Sequence, residues 1–180
     1  MTEDITGDLF GVVRQTGRMA ASTLKGQAPL SAALPCLITG TFLAFDFGER
    51  RIGVAIGNSM LQHARPLITI NEEKTDARFA SIAALLAEWQ PDALIVGLPC
   101  SVDGTPHQLT ALCRRFANRL KGRFKLTTIL VDERYTSQAA SSVLNEIGIR
   151  GREQKPLLDQ YAAQQILQAY FDEPAAGLIV

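Results

Sequence analysis

The chain has 180 residues, close to half of them apolar, with 18 Lys and Arg balanced by 18 Asp and Glu. That is enough for one sizeable core but not two, and formal neutrality excludes a global polyelectrolyte, so any nucleic-acid surface must be a local patch. Cys36, Cys100 and Cys113 are odd in number and lack CxxC spacing, which argues against a disulfide framework or a zinc site. No apolar run approaches a membrane span and no cleavable signal pattern opens the chain, so the expectation is a soluble cytoplasmic protein without membrane contact.

Residues 1–37 are broken by Gly7, Gly11, Gly17 and Gly26 and read as a mobile N-terminal extension. Strand signals begin near Ile38. Thr41 to Phe47 is an apolar strand carrying Asp46 near its end. The turn Gly48-Glu49-Arg50-Arg51 then leads into Ile52 to Gly57, which predicts a hairpin. One face of the second strand carries Ile52, Val54 and Ile56; the other carries only Gly53, Ala55 and Gly57, so another backbone can approach there. Pro66 to Ile70 reads as a shorter, weaker strand at a sheet edge. From Asp76 the period becomes helical, with Phe79, Ile82, Leu85, Leu86 and Trp89 on one face and Pro91 after the end.

Ala93 to Gly97 is a continuous apolar run typical of a central parallel strand. Thr105, Pro106 and Gln108 give a well-signalled helix start whose core face is Leu109, Leu112, Phe116 and Leu120. Leu126 to Val131 is a further strand, followed by a helix over 137–147 capped by Thr136 and a last helix from Pro156 to about Phe171. The expected architecture is α/β, with a five-stranded mixed sheet of three antiparallel strands followed by two parallel ones, flanked by helices. The domain spans 38–173, and 174–180 is read as a C-terminal tail.

An isolated buried carboxylate costs several kcal/mol unless something offsets it, so Asp46 is expected to bind a partner. Ligands collect at the carboxyl ends of parallel strands, where Asp132 and Glu133 also lie, and alternation lets only one of that pair share a face with Asp46. Asp159, in the first turn of the last helix, has Ala162, Ala163 and Ile166 as its i+3, i+4 and i+7 neighbours and so points to the core side. Three acids from separate elements can converge on one or two hard cations such as Mg²⁺ or Mn²⁺. Each also has an ordinary explanation: a backbone cap for Asp46, a surface pair with Arg134 or Arg50 for Glu133, and a favourable helix dipole for Asp159.

Between Leu109 and Val131 stand Arg114, Arg115, Arg119, Lys121, Arg123 and Lys125 with no acid among them, a local field suited to phosphate. A solvated face with dipole-favoured basic residues accounts equally well for Arg119 and Lys121. Arg150, Arg152 and Lys155 place a basic loop near Asp159. Gly104 and Thr105 open a helix start that can hold an anion, with His107 in its first turn. His63 falls in a loop without a role, Cys100 is a bystander and Cys113 packs in or near the core.

The segments Leu43-Ala44-Phe45-Asp46-Phe47-Gly48 with Arg51 to Ala55, Val96-Gly97-Leu98-Pro99 with Asp103-Gly104-Thr105, Val131 to Thr136, and Leu158 to Ala163 resemble, in order and spacing, the motifs of the YqgF/RuvX family. The resemblance covers about residues 40 to 173 and implies a ribonuclease H-like fold related to Holliday-junction resolvases. It also implies a metal-dependent nuclease that matures the 5′ end of pre-16S ribosomal RNA in the bacterial cytoplasm. It makes Asp46, Glu133 and Asp159 the catalytic acids, with Asp132 a further candidate metal ligand. It directs the basic helix and the loop after Leu98 to nucleic acid, with Arg50, Arg51, Asp103, Gly104, Thr105, Arg114, Arg115, Arg134, Arg150 and Arg152 as contacts. The cofactor implied is Mg²⁺ or Mn²⁺, and the partner is pre-16S RNA or ribosomal precursor particles. Three alternatives remain: an ATP-binding fold of the sugar-kinase and actin type, a non-catalytic RNA-binding module, and a resolvase acting on branched DNA. No obvious dimer helix is present, so a monomer or weak dimer is expected.

Overall fold

Strict alternation along the first strand sorts its side chains between two cores. In the computed structural model, which describes residues 38–99, 108–132 and 154–180, β1 (Thr41–Phe47) sends Leu43, Phe45 and Phe47 to one face and Phe42 and Ala44 to the other. β2 (Ile52–Asn58) pairs antiparallel with β1, and β3 (His63–Ile70) antiparallel with β2. α1 (Thr75–Trp89) ends at Gln90, in the left-handed conformation with φ 43° just before Pro91.

The parallel half follows. β4 (Ala93–Leu98) runs parallel to β1, α2 (Gln108–Phe124) crosses over, and β5 (Thr127–Asp132) runs parallel to β4. α3 (Gln154–Asp172) is followed by a 3₁₀ turn, Pro174–Ala176, and β6 (Leu178–Ile179), which pairs antiparallel with β5. The sheet order is β3-β2-β1-β4-β5-β6.

Among the described residues the sheet therefore has six strands, not five. Two residues are too few to show a period, so β6 is invisible in the sequence, yet Val180 N also donates to Thr128 O at 3.0 Å and Lys121 Nζ donates to the Val180 carbonyl. β3 is the edge strand expected, but it begins at His63 rather than Pro66, so His63 lies in a strand and not a loop. The register of β3 slips between Val54 and Ala55, where Pro66 stands, and an edge bulge is where a residue without an N–H is tolerated.

One core lies between the sheet and α1 with α2, built on Ile52, Val54, Phe79, Ile82, Val96, Cys113, Phe116 and Leu120. The other lies under α3, where Ala163, Ile166, Leu167, Tyr170 and Phe171 pack on Phe42, Ala44, Ala55, Ile95 and Ile129. The small face of β2 is what admits α3: a Cβ at Gly57 would meet Phe171 at 2.7 Å and Leu167 at 3.0 Å. Gln164 Nε2 donates to the Ala64 carbonyl at 2.8 Å and Thr69 Oγ1 to the Pro156 carbonyl at 2.6 Å, so the helix is stitched to β3 as well. The helix expected over 137–147, the caps at Thr105 and Thr136, and the N-terminal extension lie outside the described residues. Among the described residues no helix is long and apolar enough to cross a membrane.

Candidate active site

Asp46 and Asp159 are brought together by a missing side chain. Asp46 stands opposite Gly53 in the β1–β2 ladder, and directly opposed residues present their side chains on one face. A Cβ at Gly53 would lie 1.8 Å from the backbone carbonyl oxygen of Asp159, so the backbone of α3 rests where any other residue would put its side chain. Asp159 is thereby fixed beside Asp46. The Asp46 carboxyl is pushed up to about 6, first by burial and then by the charge of Asp159. The helix begins at Gln154, two residues earlier than the sequence suggests, so Asp159 lies in its second turn, where the dipole explanation weakens.

The β1–β2 turn closes over this pair. Gly48 N donates to the Arg51 carbonyl at 2.9 Å, and a Cβ at Gly48 would lie 2.8 Å from that oxygen. Arg51 turns its side chain back to the helix, where Nε donates to Asp159 Oδ2 at 2.5 Å with both side chains half-buried. The hydrogen bond to Asp159 raises the Arg51 guanidinium further above its already high value. From α1, Arg78 donates to the carbonyls of Glu72 and Glu49, which ties the turn to the opposite helix layer. A cleft of about 640 Å³ opens here, lined by the turn residues Gly48 to Arg51, by Gln108, Leu109 and Leu112 of α2, and by Asp159.

The remaining expected residues divide clearly. Asp132 ends β5 exposed, in the row of Leu130 that belongs to the α1 and α2 layer, whereas Ile129 and Val131 share the layer toward which Asp46 points. Arg50 lines the cleft beside Arg51. Arg114 and Arg115 are exposed on α2, and Arg115 lines a smaller hollow of about 130 Å³ that shares Leu112 with the cleft. The rest of the basic stretch is not a uniform phosphate platform. Arg119 and Arg123 lie over the Phe79 ring at 4.8 and 4.3 Å, Arg123 also reaches Asp76 at 3.7 Å, and Lys121 holds Val180. Glu133, Asp103, Gly104, Thr105, Arg134, Arg150 and Arg152 lie outside the described residues, as do His107, Cys36 and Cys100. Among the described residues no group of three or more His, Cys, Asp or Glu side chains gathers to hold a metal. The two acids that do meet are oxygen donors, the set hard cations prefer, and their mutual repulsion is the kind a cation relieves.

Among the lining residues, Gly48 and Glu49 of the turn and three residues of α2 were not expected from the sequence. Leu109 and Leu112 read as core, yet they are only partly buried at the cleft wall, and Gln108 read only as a cap. The signal available was their place in the first turns of α2, at the carboxyl end of β4.

A mixed sheet with this order, carrying paired acids and an arginine-bearing turn at the carboxyl end of its central strand, has ribonuclease H-like architecture. The fold matches the fowlpox virus resolvase solved with Holliday junction DNA, at TM-score 0.51 and 13% identity over 74% of this chain and 98% of that one. The profile described as "RuvX: Holliday junction resolvase" matches residues 40–173, and the chain belongs to the RuvX family. It is 58% identical over 134 residues to a Nitrosomonas europaea protein named "Putative pre-16S rRNA nuclease", covering 74% of this chain and 90% of that one. A Chromobacterium violaceum protein of the same name is 58% identical over 137 residues, 76% of this chain and all of that one.

Proposed function

We propose that this protein is a divalent-metal-dependent phosphodiester hydrolase that trims the 5′ end of pre-16S ribosomal RNA, free or in precursor particles, in the cytoplasm. The observation that carries the reading is the Asp46–Asp159 pair, brought together at Gly53, with Asp159 lining a cleft rimmed by Arg50 and Arg51. The names borne by relatives 58% identical point to the same substrate.

Asp46 and Asp159 would hold a Mg²⁺ or Mn²⁺ ion, with Glu133 as third ligand. Asp132 ends β5 in the row of Leu130, away from the face of Asp46, which leaves Glu133 as the preferred acid of the pair. Such a cation, when bound, would supply Lewis-acid charge toward the phosphate and an acidified water. The chain's own residues do the rest. Asp46, half-protonated near pH 6, is a carboxylate whose charged form a bound cation favours. Arg50 and Arg51 present guanidinium groups to the phosphates on either side of the cut, where bidentate contact fixes register. Arg114 and Arg115 carry the flanking strand, with Arg134, Arg150 and Arg152, and Asp103, Gly104 and Thr105, as further nucleic-acid contacts. Leu109 and Leu112 form an apolar wall against which a sugar or base can rest.

In this reading 1–37 is an extension and the nuclease domain runs from 38 through 180, because β6 and Val180 join the sheet where a C-terminal tail over 174–180 was expected; the protein acts as a monomer or weak dimer. Removal of metal with EDTA is expected to abolish cleavage of a 5′-extended 16S precursor fragment and added Mn²⁺ to restore it. Asp46→Asn, Glu133→Gln and Asp159→Asn are each expected to lose about a hundredfold or more. Retention of full activity in EDTA, or in all three variants, would sink the mechanism. The profile's description as a resolvase makes branched DNA the rival substrate.

A further inference from the structure

The ion pair between Arg51 and Asp159 stands where the proposed metal site needs a carboxylate oxygen. Asp159 Oδ2 accepts from Arg51 Nε at 2.5 Å, with the side chains 30% and 23% exposed. Two neighbouring acids without a cation need a positive group to offset their repulsion, and the fold supplies one on Asp159 rather than on Asp46. The backbone of Arg51 is held independently, because its carbonyl accepts from Gly48 N at 2.9 Å and Arg78 fixes the same turn through the Glu49 carbonyl. The side chain can therefore leave Asp159 without the turn opening. It already lines the cleft beside Arg50 and Gln108, and a second hollow with Asn71 and Glu73, so it has room to move on leaving Asp159.

We propose that Arg51 is an internal counter-ion that occupies the Asp159 carboxylate until a divalent cation arrives, so that cation binding and delivery of the arginine to the substrate phosphate are one exchange. The inference rests on the metal-dependent reading above. It assigns Arg51 a positioning role with two states: paired to Asp159 without metal, paired to phosphate with it. A cation must then displace a charge-assisted hydrogen bond as it binds, and apparent metal affinity is lowered by the stability of that bond.

Mn²⁺ binding measured by titration calorimetry on the full chain, without nucleic acid, tests this. Arg51→Gln, which removes the charge and keeps a polar side chain, is expected to bind Mn²⁺ at least about tenfold more tightly than the unaltered protein. The Mn²⁺-induced rise in melting temperature should be larger too. Arg51→Lys keeps the charge and should stay near the unaltered affinity. Arg50→Gln removes the same charge from the same cleft but not from Asp159, and its effect should stay within about threefold, the size of a screened surface charge. Unchanged or weaker binding in Arg51→Gln, with binding still lost in Asp159→Asn, would overturn the exchange and leave the metal site standing. Equal tightening in Arg50→Gln and Arg51→Gln would overturn it in favour of a general field. No Mn²⁺ binding by the unaltered protein would remove both the exchange and the metal reading.

Discussion

Asp46 is the residue on which the chemistry and the stability of the domain oppose each other. Its carboxyl is raised from 3.8 to about 6, so the folded state holds this proton more tightly than the unfolded chain does. The sign follows from linkage. Without metal, stability is greatest below the unfolded value and declines as pH climbs through the interval to about 6, levelling off above it. The upper limit of that decline is about 3 kcal/mol, reduced by whatever water reaches the group. Urea unfolding in EDTA at pH 4.5 and pH 8 measures it, and a protein equally stable on both counts would contradict the burial argument. Asp46→Asn removes the charge, and is expected to flatten this part of the profile and to make the metal-free protein more stable at pH 8 while it loses activity. Such opposition between stability and function is what a binding carboxylate in an apolar strand implies.

At the scale of elements, the join between β2 and α3 positions the site; the room for a close approach was legible because Gly53, Ala55 and Gly57 fall on one face of one strand, but not which element fills it. Gly53→Ala places a carbon against the Asp159 carbonyl and must push the helix off the sheet. A loss of about 1–3 kcal/mol in unfolding free energy, with loss of cleavage, is expected. Gly122→Ala is the matched control: a Cβ there meets nothing within 4 Å, the residue lies inside α2, and a gain of about 0.5–1 kcal/mol should follow. Denaturant midpoints for the pair decide whether contact or propensity governs. Other elements were less legible. β6 is two residues long and depends on β5 for its existence, and Pro66 hid the first half of β3 because a bulge admits it. The basic run on α2 looked uniform in sequence, but helical spacing folds Arg119 and Arg123 onto Phe79 and leaves Arg114 and Arg115 outward. Cation–π partners four residues apart carry no mark in a one-dimensional string.

For the molecule as a whole, neutrality means that affinity for nucleic acid comes from a few placed arginines rather than from net charge. Binding of a 5′-extended RNA should weaken with salt, and Arg114→Gln or Arg115→Gln should each lower the magnitude of the log–log slope by about 1. Arg123→Gln should leave that slope nearly unchanged and act instead on stability, since its guanidinium covers Phe79. Fluorescence anisotropy across a salt series separates the two groups. An equal slope change for Arg123 would return the whole helix to the nucleic-acid surface.

The most direct test of the account is cleavage in Mn²⁺, side by side, of a 5′-extended 16S precursor fragment and a four-way DNA junction by the unaltered protein and Asp46→Asn. Cleavage of the RNA on its 5′ side, a largely intact junction, and loss of about a hundredfold or more in the variant are the predicted results. Undiminished RNA cleavage by Asp46→Asn, or junction cleavage with the RNA untouched, would contradict it.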